Sequence, residues 1–257
     1  MILIKTPAEI AALREGGRKL AEILEKLKEA VQPGVTTKEL DRLAESLIFS
    51  AGGKPAFKGY RLAGNPAAAG PYPAVVCISV NDEIVHGIPS DHVLQEGDIV
   101  SLDIGMVYKE LITDMATTVG VGIIDRHKER LIEVTKKALQ VGIAQVKTGG
   151  FVHDIGVAIQ PYVEAEGFKL VSRELGGHGV GHVLHEEPLV PNWHEHGRGV
   201  ELKEGMVIAI EPMVASTSKI KLDSDGWTYR TADGSPAAHF EHTVAVTKKG
   251  AEILTSL

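Results

Sequence analysis

Four acids stand inside runs that otherwise read as buried β-strand: Asp103 in IVSLDIG, Asp114 in ELITDMA, Glu211 in VIAIEPM and Glu241 in AHFEHTVAV. An ionised carboxylate alone in apolar surroundings either costs several kcal/mol or titrates to its neutral form. A chain that repeats the arrangement needs a compensating charge, and these runs hold almost no lysine or arginine. A bound cation is the simpler answer. Between the two pairs lies GGHGVGHVLHEEP, where His178 sits among glycines that let backbone approach closely, as suits a ligand. Two Asp, two Glu and one His form an oxygen-rich set. That disfavours a structural zinc site and suits Mn, Fe or Co. Four carboxylates carry more charge than one divalent ion neutralises, so two ions sharing bridging carboxylates are expected. Such centres activate water and clamp a reacting carbonyl or phosphoryl group.

Each residue read singly has an ordinary alternative: a strand acid facing water, or a loop histidine bonded to backbone. The pairing weighs against it. If the hairpin turns at Tyr108-Lys109, Asp103 lies directly opposite Asp114, and two carboxylates that close must share a proton or a cation. His185 in HEEP and His86 in VHGIP are further candidates for hydrogen bonding or proton transfer. His182, between His178 and His185, could be a further ligand but reads rather as packing, and His194 and His196 read as solvated loop residues.

Helices and strands must carry these groups. Thr6-Pro7-Ala8-Glu9 is a capping box with proline at the first helical position. A stripe at Ile10, Leu13, Gly17, Leu20, Leu24, Leu27 and Val31 follows it. Thr36 to Glu39 opens a second helix. Arg126–Val146 and a helix through Ile155, Ile159 and Val163 repeat the pattern. A shift of 115 residues carries Leu24 onto Leu139, Gly34 onto Gly149 and Gly52 onto Gly167. This points to an internal duplication of a helix–helix–strand unit, with Thr135 as a polar interruption opposite Leu20. Strands are expected at Ala74–Val80, Ile84–Gly87, Ile99–Gly105 and Leu111–Val119. In the second half they are expected at Phe168–Arg173, Val207–Val214, Trp227–Arg230 and Phe240–Val246. Residues 61–71 and 191–199 read as loops.

Composition sets the bounds. The 257 residues, 44% apolar, suffice for a full core as one body of two fused halves. A net charge of -7 argues against nucleic acid as the primary ligand. The one cysteine, Cys77, excludes an internal disulfide and favours a reducing compartment. No run approaches the ~18 residues of a membrane helix, so a soluble cytoplasmic protein is expected.

At these residues the chain resembles a known family. Asp103, Asp114 eleven positions on, GHGVG around His178, IEPM at Glu211 and EHT at Glu241 are similar to the five-ligand pattern of methionine aminopeptidases. CISVND before VHGIP adds to the match, which runs from about Lys5 to Ile253 and looks like the bacterial type 1 form. The resemblance implies the α+β pita-bread (creatinase/aminopeptidase) fold. In it, two pseudo-symmetric halves, about 1–120 and 121–257, surround a central antiparallel sheet as one catalytic domain. It implies two divalent ions (Co, Mn, Fe or Zn). Asp103 would bind one, Asp114 and Glu241 would bridge both, and His178 and Glu211 would hold the other. Glu211 would shuttle the proton of a bridging hydroxide, His86 would contact substrate near the new amine, and His185 would hydrogen-bond the scissile amide. The methionine pocket would comprise Tyr60, Tyr72, Cys77 and Trp227, with Leu184 where many members have an aromatic. About nine residues more than the short family loop separate Tyr60 from Tyr72, which puts the position of Tyr60 in question. The implied activity is removal of the initiator methionine from nascent proteins with a small second residue. A monomer with transient ribosome contact is expected, with no membrane or nucleic-acid substrate.

Three competing readings remain at this point. A proline-directed aminopeptidase or dipeptidase shares the ligands but usually carries an extra N-terminal domain, and only about 70 residues precede CISVND. A non-catalytic ribosome or RNA-binding relative would lose ligands and gain basic stretches. A two-metal phosphoesterase fits the metal chemistry but not the whole-chain match.

Overall fold

The structure is a computed structural model that describes residues 2–61 and 70–257. Helix α1 spans Pro7–Ala30 and α2 spans Thr37–Ser50, and each opens on the expected capping box, Thr6 with Glu9 and Thr36 with Glu39. Helix α3 spans Arg126–Ile143 behind an Asp125 cap, and α4 spans Val152–Ala165. The 115-residue shift carries α2 onto α4 end for end. It also superimposes two helix-ending turns, since Gly34 and Gly149, and Gly52 and Gly167, all take positive φ. Thr135 is buried and satisfies its hydroxyl on Leu131 O at 2.7 Å, one turn back. Gly17 is required by packing, because a Cβ there would lie 2.3 Å from Leu254 O.

A nine-stranded sheet forms the floor of the molecule, and every pairing in it is antiparallel. The strands run in the order Lys54–Pro55, Ile99–Tyr108, Leu111–Gly120, Glu241–Thr247, Val207–Ile210, Gly177–Gly179 and Glu186–Val190. Val76–Val80 also pairs with the Asp103 strand and Gly250–Ile253 with the Glu241 strand. One buried cluster packs α1 and α2, through Leu20, Leu24, Leu40 and Ile48, against Val100, Leu102 and Ile104. A second packs α3 and α4, through Leu139, Ile155 and Ile159, against Ile208, Ile210 and Val244. Each helix pair therefore covers part of the sheet and leaves the strand acids to a separate cavity.

The structure departs from the sequence reading in the hairpin register and in several strands. The hairpin turns at Lys109-Glu110, both at positive φ, so Asp103 pairs with Ala116 and Asp114 with Gly105. The two acids are diagonal neighbours on one face, not direct partners. The tight turn carries neither Gly nor Asn, so its position had no local signal. Val207–Val214 is broken: Val207–Ile210 stays in the large sheet, and Met213–Ala215 joins a second one. Pro212 has no N–H to continue the ladder, and this places Glu211 at the break. Phe168–Arg173 contracts to Lys169–Leu170, while Gly177–Gly179 and Glu186–Val190 are strands hidden by glycine and acidic composition. Most of the expected 61–71 loop, residues 62–69, lies outside the described residues. Among the described residues, no helix is long and apolar enough to cross a membrane.

Candidate active site

Asp103, Asp114 and Glu241 meet across three neighbouring strands. Ala116 is in register with Asp103 on one side and Glu241 on the other, and Asp114 lies two residues along the same face. The small Ala116 side chain leaves the space between the acids open. Glu211 follows Ile210, the strand residue opposite His242, and so ends beside Glu241. His178 reaches the cluster from the next strand. Its flanking glycines are steric necessities: a Cβ on Gly177 would lie 2.2 Å from Ala209 O, and one on Gly179 2.3 Å from Glu187 O.

All five groups are buried. Burial, then mutual repulsion, holds the Asp103, Glu211 and Glu241 carboxyls well above the ordinary range, and burial takes Asp114 to about 7. Asp103 Oδ1, Asp114 Oδ1 and Glu241 Oε1 have no hydrogen-bond partner among the described residues. The nearest basic atoms to Glu211 are Nε2 of His178 and of His239, each 3.6 Å away. His178 donates from Nδ1 to Gly179 O at 2.8 Å, which leaves Nε2 a bare lone pair. Desolvation pushes this imidazole down to about 4, so it is neutral at pH 7. Ligand atoms of Asp114, His178 and Glu241 all lie within 4.8 Å of one another. Orphaned buried oxygens, a lone pair aimed inward and an oxygen-rich donor set fit divalent cations.

One cavity is lined by every residue the sequence singled out as catalytic, metal-binding or substrate-binding. Phe57, Tyr72, Ala74, Cys77, Leu184 and Trp227 form a buried apolar cluster against one side of the acids, with Tyr60 packed on it. Tyr72 meets Trp227 edge to face at 5.2 Å and donates to Gly87 O at 2.9 Å. Cys77 pairs in register with Asp103, so the apolar pocket and the acid cluster share a wall. Burial raises the Cys77 thiol far above its usual range and keeps it neutral. Tyr60 is in the cavity despite the long loop. Gly59 N donates to Tyr72 O, and Tyr72 N donates to Tyr60 O, both at 2.8 Å, so the loop is stapled shut at its base.

His86 takes a left-handed φ of 59° and points into the cavity, its ring 6.3 Å from that of Trp227. Desolvation lowers it to about 4. His185 sits at the mouth with its ring 4.3 Å from that of His178. Partial desolvation, then the neighbouring His178 and His86, disfavours its cation. His182 is exposed and bonds Glu9 Oε1 at 2.7 Å, and His194 and His196 are exposed on the surface.

Two site neighbours escaped the sequence reading. Phe57 lines the pocket, seated on Gly105, where a Cβ would lie 2.7 Å from its ring. His239 is buried with both ring nitrogens unpartnered among the described residues. It ends a separate short strand, Ala237–His239, two residues before Glu241, and that proximity in sequence was the available signal.

Residues 11–248 match the model of metallopeptidase family M24. The chain belongs to metallopeptidase family M24. Within it the chain groups with the methionine aminopeptidases of bacteria. Methionine aminopeptidase 1 of Bacillus subtilis (strain 168) is 46% identical over 256 residues, 99% of each chain. The crystal structure of methionine aminopeptidase from Rickettsia prowazekii matches with a TM-score of 0.94 at 38% identity, over 100% of both chains. A prolidase from Pyrococcus horikoshii OT3 shares the fold alone, with a TM-score of 0.79 at 24% identity, and the chain covers 64% of it. This M24 chain is therefore a metal-dependent hydrolase with the α+β pita-bread fold.

Proposed function

We propose that the chain is a methionyl aminopeptidase that removes the N-terminal methionine of nascent polypeptides when the second residue is small. The carrying observation is one cavity that joins an apolar pocket to a cluster of uncompensated carboxylates. Asp103, Asp114, His178, Glu211 and Glu241 would hold two divalent ions (Co, Mn, Fe or Zn). Bound there, the ions would make water a nucleophile at neutral pH and polarise the scissile carbonyl.

The chain's own residues supply the rest. Phe57, Tyr60, Tyr72, Cys77, Leu184 and Trp227 take the unbranched thioether side chain and exclude water from it. His86, neutral and opposite Trp227, contacts substrate near the new N-terminal amine. His185 donates an N–H to the scissile amide as charge develops there. The Glu211 carboxylate, whose proton affinity is raised by burial and by Asp114, accepts the proton of the attacking water and delivers it to the departing amine nitrogen. A bulky second residue would collide with the crowded mouth formed by His185 and Tyr60.

The whole chain acts as one catalytic domain, its halves about 1–120 and 121–257 descended from a duplicated helix–helix–strand unit. The substrate places it in the cytoplasm, where a monomer would meet emerging chains and touch the ribosome transiently. The deciding assay is hydrolysis by the metal-reconstituted protein. Release of methionine from Met-Ala-Ser with no cleavage of Ala-Pro supports the assignment, and the reverse pattern overturns it.

A further inference from the structure

The Tyr60 hydroxyl lies 2.5 Å from Nδ1 of His185, with the ring centroids 5.1 Å apart and the planes at 63°. Among the described residues this is the only hydrogen bond to the His185 ring. The tyrosine is fixed from its backbone, because its N donates to Phe57 O and its O accepts from Tyr72 N, both at 2.8 Å. A phenol is the weaker base of the pair and the better proton donor, whereas a neutral imidazole offers one strong acceptor nitrogen. The hydrogen therefore belongs to the Tyr60 oxygen, and Nδ1 accepts it. A neutral imidazole carries a single ring proton, so it resides on Nε2. That nitrogen is the one Tyr60 leaves free.

We propose that Tyr60 is the positioning residue for His185: its hydroxyl fixes the tautomer that presents Nε2–H to the scissile amide. This rests on the aminopeptidase reading above. Tyr60 also packs on the apolar cluster that would receive the methionine side chain. Occupancy of that pocket and orientation of the amide donor are thus coupled through one side chain. A first residue that fits badly and displaces the Tyr60 ring misaligns His185, so discrimination appears in turnover as well as in affinity.

The test uses Tyr60→Phe, which keeps the ring and removes only the hydroxyl. In metal-free protein labelled with ¹⁵N-histidine, NMR distinguishes protonated from unprotonated ring nitrogens, and the His185 signals are those absent from His185→Ala. The expected wild-type pattern is an unprotonated Nδ1 and a protonated Nε2, with Tyr60→Phe showing mixed or inverted tautomers. With Mn²⁺ added, Tyr60→Phe should lower kcat on Met-Ala-Ser about tenfold, the scale of one lost hydrogen bond, with KM within about twofold. The loss should vanish in the His185→Ala background. A wild-type Nδ1 that carries the proton, or a tautomer unmoved by Tyr60→Phe, overturns the proposal. So does an effect confined to KM, or losses that add in the double variant, since either makes Tyr60 a pocket wall only. If the wild type cleaves no Met peptide, the aminopeptidase reading fails, and the NMR result still decides whether Tyr60 sets the His185 tautomer.

Discussion

Loading the metal-free protein with Mn²⁺ at pH 7 should release protons from the carboxyls of the site. Four carboxyls share the cavity: Asp114 titrates near 7, and Asp103, Glu211 and Glu241 are raised well above their ordinary range. His178 is pushed down to about 4, so it brings no proton to the cluster. Titrating as a coupled set, the metal-free carboxyls retain protons at pH 7 that free carboxyls would have lost. Ligation requires carboxylates, so these protons leave as the ions enter. Calorimetric titration of Mn²⁺ in buffers of different ionisation enthalpy reads the number from the dependence of heat on buffer. A coordinated water that ionises contributes about one proton by itself. A release of one or fewer would therefore refute the shared-proton cluster. The same shifts fix the pH dependence of stability. For an acid raised in the folded state, stability is fully present below the unfolded value and is lost as pH rises through the folded one. For Asp114 the window runs from 3.8 to about 7. The metal-free protein should melt lower at pH 8 than at pH 5, and added Mn²⁺ should reverse the difference.

Three further outcomes are expected. Asp114→Asn should weaken metal retention and cut peptidase activity by orders of magnitude, measured as metal content and turnover on Met-Ala-Ser; near wild-type turnover at low added metal would contradict its role. His185→Ala should lower kcat by ~10²-fold with metal content unchanged, whereas lost metal would make it a ligand. Met-Ala and Met-Gly peptides should be cleaved far faster than Leu-Ala or Met-Arg, and equal rates on Met-Ala and Met-Arg would contradict a crowded mouth.

The acids were legible because strand periodicity and burial contradict charge, and that contradiction survives without any knowledge of the pairing. The helix pairs were legible because capping boxes and glycine stops are local signals, as at Thr6, Thr36, Gly34 and Gly149. Register was not. A hairpin tip of Lys109-Glu110 with two left-handed residues has no sequence mark, and the two-residue error moved Asp103 from opposite Asp114 to opposite Ala116. The strands that carry and follow His178 have a weak β signal, since Gly177 and Gly179 are chosen for close approach and Glu186-Glu187 is acidic. Phe57 depends on the absence of a side chain at Gly105, a long-range fact that no local pattern encodes.

Glu186 shows what this fold does with a buried carboxylate that it neutralises internally. It lies in the same histidine-bearing stretch, and its side chain is 3% exposed. Lys5, equally buried, forms an ion pair with it, and the backbone N–H groups of His182 and Val183 donate to its Oε1 at 2.5 and 3.1 Å. Removing one partner of such a pair strands the other charge. The pair thereby ties the N-terminal segment to the turn that positions His185. Asp103, Asp114 and Glu241 receive no lysine or arginine and keep bare oxygens among the described residues. A cation-supplying side chain was within the reach of the chain's own chemistry one loop away. Its absence at the four-acid cluster leaves that charge to be met from outside the polypeptide, and this is the physical content of calling the site a metal centre.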